Sequence, residues 1–119
     1  MNRFLAAFLS LILFAGSALA HSALERTEPK ADETLKVAPN EVRFWFSEPI
    51  KVGLSTFILH DASGKQVDQR DLRADEKEPG LVRLSLPPGL PAGVYKVTWS
   101  AVAQDLHVGK GGFSFTVAP

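Results

Sequence analysis

Four side chains carry the chemical interest of this sequence, and three of them lie in two short stretches. The first stretch is Ser17-Ala18-Leu19-Ala20-His21-Ser22, and the second is Gln104-Asp105-Leu106-His107. Ala18-Leu19-Ala20 has the small-x-small form of a signal-peptidase site, so cleavage after Ala20 makes His21 the first residue of the exported chain. A histidine in that position offers a free α-amine and a ring Nδ1 on one residue. The two close a six-membered chelate around a single metal ion. Free α-amines titrate at about 7.7–8.0 and imidazoles at about 6.5, so both donors are available only above weakly acidic pH.

Asp105 and His107 are two apart. In an extended backbone, such residues project to the same side, which presents a carboxylate and an imidazole together at a strand end. Asp-x-His alone is short and common, and an ordinary polar strand end explains it as well. With His21 added, the set becomes three nitrogens and one oxygen, which suits tetragonal Cu(II) at the top of the divalent affinity order. Zinc accepts the same ligands in a tetrahedral arrangement. The chain has no cysteine, and its single methionine is Met1. The exported chain therefore lacks a soft sulfur donor for Cu(I), and one Cu(II) ion per chain is the expectation. The remaining histidine, His60, closes a strand pattern beside a turn and reads as a surface residue.

These donors need a scaffold, and composition bounds it. Asn2 and Arg3 followed by the apolar run Phe4 to Gly16 make residues 1–20 a signal peptide, leaving one domain over residues 21–119. Without Arg3 the chain carries twelve Lys and Arg against thirteen Asp and Glu, a net charge of −1. No basic patch or tail points to nucleic acid. No second apolar run offers a membrane anchor after cleavage. An exported domain of this size without disulfides must be held by packing.

The pattern along the chain is all-β, with short alternating segments between turn signals. Glu41 to Glu48 turns Val42, Phe44 and Phe46 one way. Thr56 to Leu59 is a second strand, ended by the Asp61-Ala62-Ser63-Gly64 turn, with Gln66 to Arg70 expected to pair back across it. Leu81 to Leu86 alternates again. Pro87 to Gly93 is a proline-rich connection. Val94 to Val102 sets Tyr95, Val97, Trp99 and Ala101 on one face, and Phe113, Phe115 and Val117 close the pattern. With Leu24 near the start, this makes about seven strands, the count of an immunoglobulin-like β-sandwich with the aromatics in its core. Arg70 to Pro79 is charged and irregular and reads as a solvated loop.

The exported chain resembles the CopC-type periplasmic copper-binding proteins of bacterial copper resistance. The resemblance rests on His21, TEPKADETL (residues 27–35), FWFSEPI (44–50), LPAGVYKVTWSAVAQDLH (90–107) and the terminal GGFSFTV (111–117). It implies a seven-stranded Greek-key sandwich that buffers or carries Cu(II) in the periplasm. It also implies work beside a membrane copper-transport protein of the CopD type. The family's N-terminal His, Asp and His fall on His21, Asp105 and His107. A glutamate that some members add after Phe-Ser falls on Glu48; water is the alternative ligand there. Two departures stand out. The family's Met-rich Cu(I) segment is missing, and Val108-Gly109-Lys110-Gly111-Gly112 replaces the usual proline after the histidine, reading as a flexible insertion.

Two other readings remain open. One is an immunoglobulin-like interaction module with incidental histidines. The other is a copper oxidase with a histidine brace, which needs an open coordination position and a broad substrate surface that 99 residues hardly supply. No nucleophile–base arrangement or phosphate loop points to other catalysis, so a non-enzymatic carrier is expected.

Overall fold

The structure is a computed structural model that describes residues 22–119. The signal-peptide assignment for residues 1–20 and the ligand assignment for His21 both lie outside the described residues. Eight strands build two sheets: β1 (Leu24–Glu28), β2 (Thr34–Leu35), β3 (Glu41–Phe46), β4 (Thr56–His60), β5 (Arg73–Ala74), β6 (Leu81–Ser85), β7 (Gly93–Val102) and β8 (Val108–Val117). One sheet runs β1-β3-β6-β5 and the other β2-β8-β7-β4. All named pairs are antiparallel except β2 with β8. The only helical element described is a 3₁₀ turn at Val52–Leu54.

Alternation decides which faces meet. Val42, Phe44 and Phe46 of β3 join Val82 and Leu84 of β6 on one inner face, against Phe57, Leu59, Tyr95, Val97 and Phe115 on the other. Each such side chain contributes about 1.5–3 kcal/mol when taken out of water, and nothing else in a cysteine-free chain supplies comparable stabilisation. Edge-to-face contacts, such as Phe44 on Phe57 with ring centroids 4.6 Å apart, lock the centre. At the entry to β7, the Tyr95 hydroxyl donates to the Pro91 carbonyl, which ties the proline-rich connection to the strand it feeds. Trp99 and Phe113 are only partly buried and pack against the rim of this core.

Three segments differ from their sequence reading. Arg70 to Pro79 is not simply a solvated loop, because it contains β5, paired with β6. Carboxylates hold it there: Asp71 accepts the Ser85 N–H at 2.8 Å, and Asp75 accepts Arg83 Nε at 2.9 Å. Gln66 to Arg70 returns across its turn through one bridge only, His60 to Gln66, with a further bond from Val67 N–H to the Leu59 carbonyl. The buried Asp68 carboxylate then takes the Leu59 N–H at 2.9 Å, so a side chain occupies the place of a longer ladder.

The third difference bears on the site. Gly109 to Gly112 is not a flexible insertion but ordinary β8 strand, paired residue for residue with β7 from Val102↔Val108 to Thr98↔Gly112. The glycines have a packing reason. The Trp99 indole lies across Gly111, where a Cβ would come within 2.6 Å of the ring. A side chain there would displace the indole from its stack on Phe57, whose ring is 6.1 Å away at 16°. An aromatic laid over a cross-strand glycine is a recognised way of stabilising a glycine-bearing strand.

Candidate metal centre

The long β7–β8 hairpin ends in the five residues Ala103 to His107. Ala103 donates its N–H to the His107 carbonyl at 2.9 Å, and Leu106 donates to the Ala103 carbonyl at 2.9 Å. Leu106 stands in the left-handed region, with φ 72°. Asp105 and His107 therefore do not share a side through an extended backbone, as their spacing suggests. The turn brings them together instead. The Asp105 carboxylate accepts the His107 N–H at 3.1 Å through Oδ1, while Oδ2 lies 2.9 Å from His107 Nδ1. The His107 side chain is about two-thirds exposed (65%) and that of Asp105 about one-third (35%), so the imidazole reaches solvent while the carboxylate is held at the loop.

The strand exit after β3 runs alongside this loop. Ile50 bridges to Ala103, Lys51 donates to the Val102 carbonyl at 2.8 Å, and the Gln104 amide reaches the Pro49 carbonyl at 3.4 Å. The same exit holds the start of the described chain. Ser47 donates its N–H to the Ala23 carbonyl at 2.8 Å and accepts the Ala23 N–H on its hydroxyl at 2.8 Å. The Ser22 hydroxyl donates to the Glu48 carbonyl. Residues 47–50 thus touch both Ser22, the neighbour of His21, and the loop of Asp105 and His107.

Glu48 enters this arrangement through its main chain, while its side chain is exposed. Among the described residues, no three His, Asp or Glu side chains converge on one point. Asp105 and His107 make a pair, and a complete ligand set needs donors beyond it. His60 ends β4 opposite Lys96, several residues along β7 from the loop. It is half-buried and takes no part in the pair.

The chemistry of the pair is specific. Ligand atoms lie about 2.0 Å from a first-row divalent ion, so two adjacent corners of a square are about 2.8 Å apart and two corners of a tetrahedron about 3.3 Å. The observed 2.9 Å between Oδ2 and Nδ1 is an ordinary hydrogen-bond length, and it is also close to the square edge. Two features escaped the sequence reading. The Asp105–His107 loop contains no glycine to mark its left-handed residue, and Ser22 and Ser47 give no motif.

Comparisons with known proteins place the chain. A model of the CopC domain matches residues 24–118. Copper resistance protein C of Escherichia coli is 34% identical over 110 residues, covering 87% of this chain and 86% of that protein. Copper transport protein CutJ of Bacillus subtilis is 27% identical over 92% of this chain, which spans only 20% of CutJ. Among solved structures, CopC from Methylosinus trichosporium OB3b superposes with a TM-score of 0.76 at 27% identity, covering 83% of this chain and 95% of that one. PcoC, a methionine-rich copper resistance protein from Escherichia coli, gives 0.69 at 32% identity, covering 82% and 99%.

Proposed function

The chain belongs to the CopC family, and from that membership we propose that it is a periplasmic carrier or buffer of copper with a single Cu(II) site and no enzymatic activity. Residues 1–20 direct export and are removed. His21 then supplies its α-amine and Nδ1, and Asp105 and His107 supply the other two corners. Glu48 or water occupies any further position.

The observation that carries this reading is the Asp105–His107 pair, set 2.9 Å apart at the tip of the longest hairpin. A hydrogen bond and a square edge need nearly the same spacing, so the metal can replace the shared proton once the exposed imidazole turns its Nδ1 lone pair off the N···O line toward the ion. Two facts support the oxidised ion. PcoC is described as methionine-rich, whereas this chain has no methionine beyond Met1 and no cysteine at all. A nitrogen- and oxygen-only set favours Cu(II) over Cu(I). Ser22 is held by the Glu48 carbonyl on the strand exit that also touches the Asp105–His107 loop.

The test compares two preparations by Cu(II) competition titration and electron paramagnetic resonance. One begins at His21, and the other carries one extra residue before it. The expected result is a tight, tetragonal, nitrogen-rich Cu(II) in the first only. Equal binding by both, or tight binding by neither, overturns the role of His21 and favours an interaction module with incidental histidines.

A further inference from the structure

The molecule contains the same hairpin loop twice. Between the bridge His60–Gln66, Asp61 donates its N–H to the Lys65 carbonyl at 2.9 Å and Gly64 donates to the Asp61 carbonyl at 3.0 Å. Between Val102 and Val108, Ala103 bonds His107 and Leu106 bonds Ala103 in the same pattern. In each loop the fourth of five residues is left-handed: Gly64 with φ 89°, and Leu106 with φ 72°. Glycine is the residue such a position favours, because any Cβ there crowds the following carbonyl.

Leu106 occupies that position instead. Its side chain is 63% exposed, so burial does not offset the strain. An outlier held without packing gain directs attention to what its neighbours do. Its neighbours on either side are Asp105 and His107.

We infer that Leu106 is a positioning residue for the metal pair, an inference that rests on the copper reading above. Within the turn that the Ala103–His107 and Leu106–Ala103 bonds close at a positive φ, a side chain leaves the backbone one narrow basin. Glycine would relax the strain but open several. With Leu106, the Asp105 carboxylate and the His107 ring are held at chelate spacing before the ion arrives, so less freedom is lost on binding. The Gly64 loop presents no such pair and keeps the relaxed residue.

The experiment uses the chain beginning at His21 with the variants Leu106→Gly and Leu106→Asn, the second because asparagine tolerates the left-handed region. Free Cu(II) is the probe, read by competition titration, electron paramagnetic resonance and the melting temperature without metal. The expected result for Leu106→Gly is an affinity about tenfold weaker, with heterogeneous resonance lines and a metal-free melting temperature no lower than the parent's. Leu106→Asn should stay within about threefold of the parent with a single species. A Leu106→Gly variant with parental affinity and lines overturns the inference and leaves the copper reading intact. So does a Leu106→Asn variant as weak as the glycine one, since the leucine side chain rather than the backbone would then matter. A parent chain without a tight tetragonal site removes the copper reading, and the inference with it.

Discussion

The two matching loops, residues 61–65 and 103–107, differ in where the aspartate stands and what it holds. Asp61 is the first residue of its loop. Its Oδ1 accepts the Ser63 N–H at 3.0 Å, the Ser63 hydroxyl at 2.7 Å and the Lys65 N–H at 3.0 Å. Those bonds, the Ser63 hydroxyl first, hold its carboxyl below the usual carboxylate range. Asp105 is the third residue of its loop and faces an imidazole. The same turn serves the fold in one place and presents a carboxylate–imidazole pair in the other. Moving one carboxylate two positions along a fixed backbone makes the difference.

The strongest way to break the comparison is His107→Ala in the chain beginning at His21. Copper affinity should fall by at least about a hundredfold, while the metal-free melting temperature stays within about 2 °C, because the ring is mostly exposed. The matching change, Asp61→Ala, should lower the melting temperature and leave copper binding alone. If His107→Ala destabilises the metal-free chain as much as Asp61→Ala does, the loops are not divided in this way.

Acid should separate the loops almost as sharply. Copper affinity should drop by about a hundredfold between pH 7 and pH 5, as amine and imidazole donors take up protons. The fold should persist through that range. Asp61 and Asp75 have folded pKa values below the ordinary aspartate value, Asp75 chiefly through the Glu78 N–H. A lowered folded pKa contributes stability in full above the unfolded value, and that stability is lost as pH falls through the folded one. Their contribution therefore disappears only below about pH 4. Circular dichroism alongside metal titration from pH 7 to 3 checks both halves. Unfolding that coincides with copper loss would contradict the division.

A smaller effect concerns the strand that leaves the Asp105–His107 loop. Gly111→Ala places a methyl within 2.6 Å of the Trp99 ring and should cost about 1–3 kcal/mol, read by denaturant unfolding. Copper affinity measured on the folded variant tests whether the loop borrows its geometry from this contact. The smallest change is Gly64→Leu, which copies the Leu106 arrangement into the loop without a carboxylate–imidazole pair. It should cost about 1–2 kcal/mol and leave copper binding unchanged.

Much of the fold was legible because alternation is a local signal. The core faces of Glu41–Phe46, Thr56–His60, Leu81–Ser85 and Gly93–Val102 follow from period-two patterning, and the observed burial agrees with it. Arg73–Ala74 was hidden because its pairing depends on Asp71 and Asp75 reaching β6, and side chains that act at a distance leave no period. The glycine run misled for a related reason. Glycine weakens a strand by its own propensity, and only the Trp99 ring lying across it reverses that reading.

The sequence by itself determined the donor inventory: three histidines, no cysteine, a single methionine at Met1, and an Asp-x-His at the end of a strand pattern. Ligand identity is a property of residue type, and composition exposes it directly. The tertiary structure decided the rest. It converted Asp105 and His107 from an extended pair into a turn through one left-handed leucine. It also brought Ser22 beside Glu48, 26 residues away, so that the start of the described chain adjoins the strand exit that touches the Asp105–His107 loop. Backbone basins and long-range hydrogen bonds are settled by how the two sheets close on their core, and no local stretch of residues encodes that.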